Sequence, residues 1–412
     1  MLRHTLRKAY VVRLGFTAGF VPSRAYKNFG RPAPTLLVDL RKIVDIRTVT
    51  KVKIHTTRRL DIPPVLALLI RPLVNIGAFL FGRYFKRWWA RQTPEQREMY
   101  RRWFVSKRGV FLGTFGAFLS SLGIYYVRHL ETDPLTNRSR FILLNKEQQD
   151  ALAKFTYETH LEEHKNNLVP PNHPAYIKIA AVTKKLLNAN KDLPFVKDHT
   201  WTLNVVNSDT KNAYVLPGGH IFVFLGTLNM VDNDDQLAII LSHEMAHVLL
   251  KHPIEHVSNG VIVDLLLAVP LAVLWATFPD VVAFLLQSLG KTMLAIVLSL
   301  PYSRSLEREA DEVGLNLAAK ACVDVREAVV FWGTMRALVD MKVEPAELPW
   351  LSTHPDNAER EKFLDARIPN ALELRMQSGC FGVHRVDPRK QFKERSLKEQ
   401  QAVLKARGYS IA

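Results

Sequence analysis

The longest uncharged stretch of the chain runs from Gly109 to Val127 and contains 19 residues. Lys107 and Arg108 precede it, and Arg128 follows it. At about 1.5 Å per residue, a helix of this length measures about 28 Å, which matches the hydrocarbon thickness of a bilayer. A buried helix of a soluble protein would not explain why charge is missing from every face of this segment. The pattern therefore predicts a transmembrane helix at residues 109–127.

Two further apolar regions are interrupted by charge. The segment from Val65 to Phe81 is apolar apart from Arg71 and Asn75. Because an arginine in mid-segment makes a full span costly, we expect an interfacial or matrix-side helix there. The region from Val257 to Leu300 is also mostly apolar but contains two aspartates. Its pattern fits a membrane-dipping hairpin and equally fits a buried pair of helices.

The stretch between these apolar regions has the pattern of a folded α+β domain. Apolar residues recur at helical spacing in Gln148–His164, in Ala175–Asn188 and again from Asp234 to His252, which predicts three helices. Trp201–Val206 and Ile221–Leu225 are rich in β-formers, and the turn residues between them predict antiparallel strands. The fold class is therefore α+β, a mainly helical domain with a small antiparallel sheet, preceded by a transmembrane helix.

The formal net charge of +17 suggests a nucleic acid or an anionic membrane as a partner. The excess is confined to one end. Residues 1–108 contain 24 Lys or Arg and 5 Asp or Glu, whereas residues 109–412 contain 32 and 34. We therefore expect no nucleic-acid partner for the larger part of the chain, and such a function could rest only on the first quarter.

The basic end has the composition of a targeting and topology signal. Residues 1–38 interleave basic and apolar residues without an acidic one before Asp39, as a mitochondrial presequence does; a disordered basic arm is the alternative. Residues 39–108 are expected to form a basic region on the matrix side or at the membrane interface, where their tryptophans would sit. Residues 51–108 contain 14 Lys or Arg. The positive-inside bias then places everything after the span in the intermembrane space.

The cysteine count limits the chemistry. Cys322 and Cys380 are too few for a disulfide framework or a four-cysteine zinc site, so a metal would be held by histidines and carboxylates. The sequence leaves the redox state of the two cysteines open.

The predicted helix from Asp234 to His252 contains the motif HExxH. His243 and His247 lie one turn apart on one face, so both can reach a single Zn²⁺, and Glu244 can take a proton from the attacking water. Where the metzincin motif places its third histidine, this chain has a proline. His252 and His256 are therefore expected at the surface or behind the ligands.

A third protein ligand is expected from the segment SRSLEREADEVG, residues 303–314. Glu307 can supply a carboxylate oxygen, and Asp311, one turn later, can accept the free imidazole N–H of a metal-bound histidine. Glu309 is the other candidate ligand, but it has no carboxylate four residues later. Arg304 could steady the carboxylates, although an exposed arginine is the ordinary case.

HEMAH at residues 243–247 and EREAD at residues 307–311 resemble the gluzincin peptidases, which include the bacterial heat-shock protease HtpX and the CAAX prenyl protease. Asn212–Val223 resembles the family's substrate-side edge strand, and Thr353–Pro355 with Arg360 resembles its C-terminal His-Pro element. These four elements stand in the family's order within residues 145–365. With a presequence and a single span before the domain, the chain is most similar to the Oma type of the mitochondrial inner membrane.

The resemblance implies a zincin-type metalloprotease domain at residues 140–370 with one Zn²⁺ per subunit. His243, His247 and Glu307 would be the metal ligands, Glu244 the general base, and Asp311 would support a ligand. His354 would stabilise the oxyanion or position the substrate. HtpX has spans in the region corresponding to residues 257–300, which favours membrane association there, and residues 371–412 would be a charged helical tail.

The resemblance also implies partners and a cellular role. It suggests membrane-protein substrates, including the dynamin-like fusion GTPase, and work in quality control and the stress response. Inner-membrane lipids are expected partners, and a homo-oligomer is left open.

Two other functions compete with this interpretation. A membrane-tethered basic protein that binds RNA or cardiolipin, with a non-catalytic zinc domain, predicts salt-dependent RNA binding at residues 40–108. A CAAX-type protease of another membrane would need several strong spans, more than this sequence has.

Overall fold

The structure is a computed structural model that describes residues 64–294, 300–340, 357–383 and 386–395, with a few positions between 399 and 406. The predicted presequence lies outside the described residues, and so does the part of the basic region before residue 64.

Three helices precede the globular domain: α1 (Pro64–Ala90), α2 (Pro94–Ser106) and α3 (Arg108–Arg128). A capping box starts α2, in which the side chain of Thr93 accepts a hydrogen bond from the backbone N–H of Gln96. Helix α3 covers the predicted span, and its most apolar window has a mean hydropathy of 1.6 with 0% of its residues buried. By length and composition alone, α3 and the later helix His252–Thr277 could each cross a membrane.

The domain after α3 is mainly helical, as the sequence predicts. Its helices are α4 (Lys146–His164), α5 (Pro174–Ala189), α6 (Pro194–Asp198), α7 (Asp234–Leu249), α8 (His252–Thr277), α9 (Asp280–Leu294), α10 (Leu300–Lys320), α11 (Glu327–Asp340), α12 (Asn357–Asp365), α13 (Ile368–Gln377) and α14 (Pro388–Glu394). Helices α4 and α5 confirm two of the predicted helices. The segment predicted as one helix up to residue 252 is divided, because Lys251 adopts a left-handed conformation with φ of 54° between α7 and α8.

The described strands form two small sheets. Strands β1 (Leu130–Thr132) and β2 (Ser139–Phe141) pair antiparallel, and β3 (Thr202–Val206), β4 (Ala213–Leu216) and β5 (His220–Phe224) form a sheet in the order β3–β5–β4.

The prediction that residues 201–206 and 221–225 are antiparallel is wrong, because β3 and β5 are parallel neighbours. Strand β4 lies between them in sequence and pairs antiparallel with β5, so the chain reverses direction twice. The tight turn from β4 to β5 uses Gly218 and Gly219 at φ of 92° and 87°. Strand β4 therefore forms one edge of the sheet.

Helix α7 lies in the largest apolar core, in contact with α5, α10, α11 and β4. Nearly all of its residues are buried, polar ones included. Helix α10 comes closest at Gly314, where a Cβ atom would lie 2.9 Å from the Cα of His243. Neighbours on every side hold α7 in place, so polar side chains on it have fixed positions.

Helices α1 and α8 pack along each other in parallel. Arg71 Nε lies 2.6 Å from Asp264 Oδ2, and further along both helices Lys86 Nζ lies 2.9 Å from the carbonyl oxygen of Phe278. Asp280, at the start of α9, pairs with Lys86 at 2.8 Å and with Arg83 at 2.9 Å. The charges that interrupt these apolar segments are thus paired with one another, which offsets part of the cost of removing them from water.

A disulfide joins Cys322, just after α10, to Cys380, just after α13, across a sequence separation of 58 residues. It ties the helix that carries Glu307 to the end of the domain.

Candidate active site

Helix α7 begins at a well-formed N-terminus and places the HExxH motif in its second half. The side chain of Asn233 accepts a hydrogen bond from the backbone N–H of Gln236, and two aspartates occupy the first turn, where the helix dipole favours them. His243 and His247 then stand one turn apart on the same face.

The structure brings together three donor atoms from α7 and α10. His243 Nε2 lies 3.1 Å from His247 Nε2 and 3.3 Å from Glu307 Oε2, and His247 Nε2 lies 3.5 Å from Glu307 Oε1. Ligands about 2.0 to 2.1 Å from a tetrahedral metal lie about 3.3 Å from one another. Two imidazole nitrogens and a carboxylate at these separations fit one divalent metal ion, and they form one of the His–Glu clusters able to hold a metal among the described residues.

Glu244, adjacent to the first of these histidines, is buried, with 4% of its surface exposed. It directly follows His243 on α7, whose backbone is held by the core. A carboxylate held there can exchange a proton with a water at the metal site.

His243 is held from behind by a buried ion pair. Its Nδ1 lies 3.1 Å from Asp311 Oδ1, and Arg360 clamps Asp311 with two hydrogen bonds of 2.7 and 2.6 Å. The guanidinium of Arg360 also stacks on Trp332, with its central carbon 3.6 Å from the ring centroid. Asp311 thus contacts the imidazole of His243, and Arg360 holds Asp311 in place.

These charges affect protonation of the metal-free cluster. Burial and Arg360 lower the pKa of His243, but its hydrogen bonds with Asp311 and Glu307 outweigh them and raise it to about 9. A metal ion has to displace that proton, so metal binding at neutral pH releases it.

His247 is supported by His252, which the sequence analysis expects either at the surface or behind the ligands. His252 Nδ1 lies 2.9 Å from His247 Nδ1, and His252 Nε2 lies 3.1 Å from Glu309 Oε2. The left-handed turn at Lys251 brings His252 back towards the site, and its side chain is buried. Glu309, the alternative ligand candidate, therefore supports His247 indirectly, through His252.

Glu309 is anchored by cations from the β1–β2 hairpin. Arg138 Nε lies 2.8 Å from Glu309 Oε2, and Arg140 contacts its other oxygen at 3.2 Å. Burial raises the pKa of Glu309, but hydrogen bonds from His252 and Thr136 and the two arginine charges outweigh it and lower the pKa to about 2. The carboxylate stays ionised and can accept the N–H of His252 over the whole physiological range.

The remaining predicted residues are placed as follows. Arg304 and His256 are exposed. His354, with Thr353 and Pro355, lies outside the described residues. Its role as an oxyanion or substrate group stays a prediction.

An open cavity of about 770 Å³ lies between the apolar helices and the domain. Arg71 and Asp264 line it from α1 and α8, and Tyr302 lines it from α10, the helix that carries Glu307. A hydrogen bond of 2.9 Å joins Asn259 of α8 to Tyr302, so the wall of the cavity and the ligand helix share contacts.

An HExxH helix inside a mainly helical domain, a carboxylate from a second helix and an edge strand beside them define a metallopeptidase of the gluzincin class. The model of peptidase family M48 matches residues 177–368.

Similar proteins come from animals and fungi. The mitochondrial metalloendopeptidase OMA1 of Homo sapiens is 37% identical over 366 residues, 85% of this chain and 69% of the relative. That of Bos taurus is 38% identical over 347 residues, 82% and 65%. That of Schizosaccharomyces pombe is 32% identical over 271 residues, 66% and 76%. The chain therefore belongs to the OMA1 metalloendopeptidases of peptidase family M48, and it spans about two thirds of the length of these mammalian relatives.

Proposed function

We propose that this chain is a zinc endopeptidase of the mitochondrial inner membrane that cleaves membrane proteins. The observation that carries the proposal is the cluster of His243, His247 and Glu307, whose donor atoms lie 3.1 to 3.5 Å apart beside buried Glu244. Two imidazoles and one carboxylate are the ligand set of catalytic zinc sites that leave a position open for water and substrate.

In this proposal, His243, His247 and Glu307 hold one Zn²⁺ per subunit. When bound, zinc would act as a Lewis acid that polarises the scissile carbonyl and lowers the pKa of a water molecule. Glu244 takes the proton of that water as it attacks, and returns it to the nitrogen of the leaving amine. Asp311 and His252 keep the two imidazoles in one tautomer and one orientation throughout. His354 would hydrogen-bond the developing oxyanion or the substrate.

Substrate binding is proposed along β4. This strand forms an edge of its sheet among the described residues and contacts α7, so an extended peptide added there would pass the metal cluster. The open cavity among α1, α8 and α10 supports the proposal that substrates arrive from the membrane. The dynamin-like fusion GTPase, and work in quality control and the stress response, belong to the proposal on the strength of the family resemblance.

The proposed topology places α3 across the inner membrane, with α1, α8 and α9 associated with the bilayer and the domain in the intermembrane space. The segment from Arg83 to Arg108 contains nine Lys or Arg, both ends included, at the end of these helices away from the domain. The positive-inside bias favours the matrix for them. The disulfide Cys322–Cys380 supports a position of the domain on the side of the membrane opposite to the matrix. Disulfides persist in oxidising compartments, of which the bacterial periplasm is an example.

The test compares wild type with Glu244→Gln for cleavage of a membrane-protein substrate and for bound zinc. Gln keeps the size of the side chain but cannot accept the proton, so we expect cleavage to fall by about 10² to 10⁴-fold with zinc retained. Glu312→Gln, an exposed change on ligand helix α10, is the matched control and should cleave normally. Full cleavage by Glu244→Gln with zinc still bound would refute the mechanism.

A further inference from the structure

A second group of metal-ligating side chains lies outside the active site, at the end of α4. His160 and His164 stand one helical turn apart, the spacing of His243 and His247, and Glu163 lies beside them. The donor atoms of these three residues all lie within 4.8 Å of one another. They share no residue with the cluster described above.

The two imidazoles are held by an aromatic surface on strands β4 and β5. His160 lies 5.3 Å from the ring of Tyr214 and 6.0 Å from that of Phe222, and His164 lies 5.3 Å from that of Phe224. Rings packed in this way lose less conformational freedom on binding an ion than free surface histidines would.

A hydrogen bond orients the first imidazole further. Tyr214 Oη and His160 Nδ1 are 2.9 Å apart, and the same Nδ1 lies 3.9 Å from Glu163 Oε2. A metal-binding histidine usually makes such a bond with the ring nitrogen that does not bind the metal, so Tyr214 orients the ring and leaves Nε2 of His160 as the nitrogen for an ion. Because Tyr214 belongs to β4, an ion bound to His160 would be coupled to the edge strand.

We propose that His160, Glu163 and His164 form a second site for a divalent transition metal, distinct from the catalytic one. Two imidazoles and a carboxylate suit Zn²⁺, Co²⁺, Ni²⁺ or Cu²⁺ and disfavour Ca²⁺ and Mg²⁺, which prefer all-oxygen ligands. Glu163 is exposed and both histidines are partly exposed, whereas His243 and Glu307 are buried. The ion at the second site therefore exchanges with solvent more readily than the catalytic ion.

The experiment measures Zn²⁺ bound to the full chain in detergent by equilibrium dialysis, followed by a mild chelator. Wild type should bind two equivalents and release one of them readily. Glu163→Gln and His164→Gln should each bind one, with an unchanged circular dichroism spectrum. Co²⁺ in place of Zn²⁺ should give the visible absorption of two sites in wild type and of one in the variants.

Glu162→Gln is the matched control, because Glu162 is the exposed neighbour of Glu163 and pairs with Lys165 instead. It should retain both equivalents. The proposal is overturned if wild type binds only one equivalent, or if Glu163→Gln and His164→Gln both keep two. Neither result would bear on the catalytic cluster, whose metal is counted separately as the slowly released equivalent.

Discussion

Each of the two proposed histidine ligands is backed by its own charged chain. Asp311 and Arg360 stand behind His243, whereas His252, Glu309 and the hairpin arginines stand behind His247. Asp311 and Glu309 both belong to α10, but Arg360 and the hairpin arginines that hold them come from different parts of the sequence. The loss of either set would leave one imidazole without its support. Partners of this kind determine how tightly a metal is held.

His252→Gln is expected to weaken metal binding, because His247 loses the group that fixes its Nδ1. We expect the affinity for zinc to fall by about 10 to 100-fold, measured by competition with a chelator of known affinity. His256→Gln is the control, since His256 is exposed one turn further along α8. Equal affinity in both variants and in wild type would show that His252 does not position the ligand.

His220 gives a prediction for stability against pH. It stacks on Tyr157 at 3.8 Å and shares a hydrogen bond of 2.8 Å with Thr202. Burial, with a smaller contribution from His199, lowers its pKa to about 4. In the unfolded chain the imidazole of His220 takes up a proton near pH 6.5, whereas in the folded chain it does so only near pH 4. His220 therefore lowers the free energy of unfolding as the pH falls from 6.5 to 4.

The check is chemical unfolding of wild type and His220→Asn at several pH values. Asn can keep a hydrogen bond to Thr202 but does not titrate, so its unfolding free energy should depend less on pH between 4 and 6.5. If both proteins lose stability in parallel across that range, His220 is not responsible for the loss.

The sequence predicts the chemistry of the cluster but only part of its support. His243, Glu244, His247, Glu307 and Asp311 follow from helical spacing, because residues three or four apart share a face. His252 could not be assigned in this way. Its role depends on the left-handed residue before it and on its contact with Glu309, which a hairpin more than 100 residues earlier in the chain holds in place.

At the scale of elements, the site depends on how closely α10 approaches α7. Glu307 reaches the two histidines because Gly314, two turns later, lets the helices meet with no side chain between them. A Cβ there would lie 2.9 Å from His243 Cα and 3.0 Å from its backbone nitrogen. These are backbone atoms of a buried helix, so they cannot move aside cheaply.

Gly314→Ala should therefore push α10 away from α7. We expect a loss of about 1 to 3 kcal/mol in unfolding free energy together with weaker zinc binding, since Glu307 moves with its helix. Gly290→Ala on α9 is the matched control, because no atom lies within 4 Å of its added Cβ. A Gly314→Ala protein with wild-type stability and zinc affinity would contradict this account.

The elements also show where pattern alone fails. From the sequence alone, Arg71 makes it costly in free energy for α1 to span the membrane. In the structure, Asp264, 193 residues later, pairs with Arg71 at 2.6 Å. The strands beside the site have the predicted composition, yet β3 and β5 are parallel. The reason is that β4 follows β3 in the sequence and pairs antiparallel with β5. Composition and period indicate an element, whereas its partner and direction depend on contacts distant in the chain.

At the scale of the molecule, the described basic residues from Arg83 to Arg108 and the active site lie at opposite ends of the apolar helices. Tyr126, near the end of α3, stacks on Phe141 of the domain at 4.7 Å. The start of α3 is about 30 Å away along its axis, next to the basic helix α2. The net charge of +17 is concentrated at one end of the sequence, and the proposed topology uses this asymmetry.

Protease protection tests this topology in isolated mitochondria with an epitope inserted between Gln92 and Thr93, at the junction of α1 and α2. After the outer membrane is ruptured, an added protease should digest the domain but spare the epitope, which becomes accessible only when detergent dissolves the inner membrane. Non-reducing gels of the same samples should show Cys322 and Cys380 protected from alkylation until a reductant is added. Digestion of the epitope with the domain intact would place the active site in the matrix. That result would contradict the topology inferred from the basic end and from the disulfide.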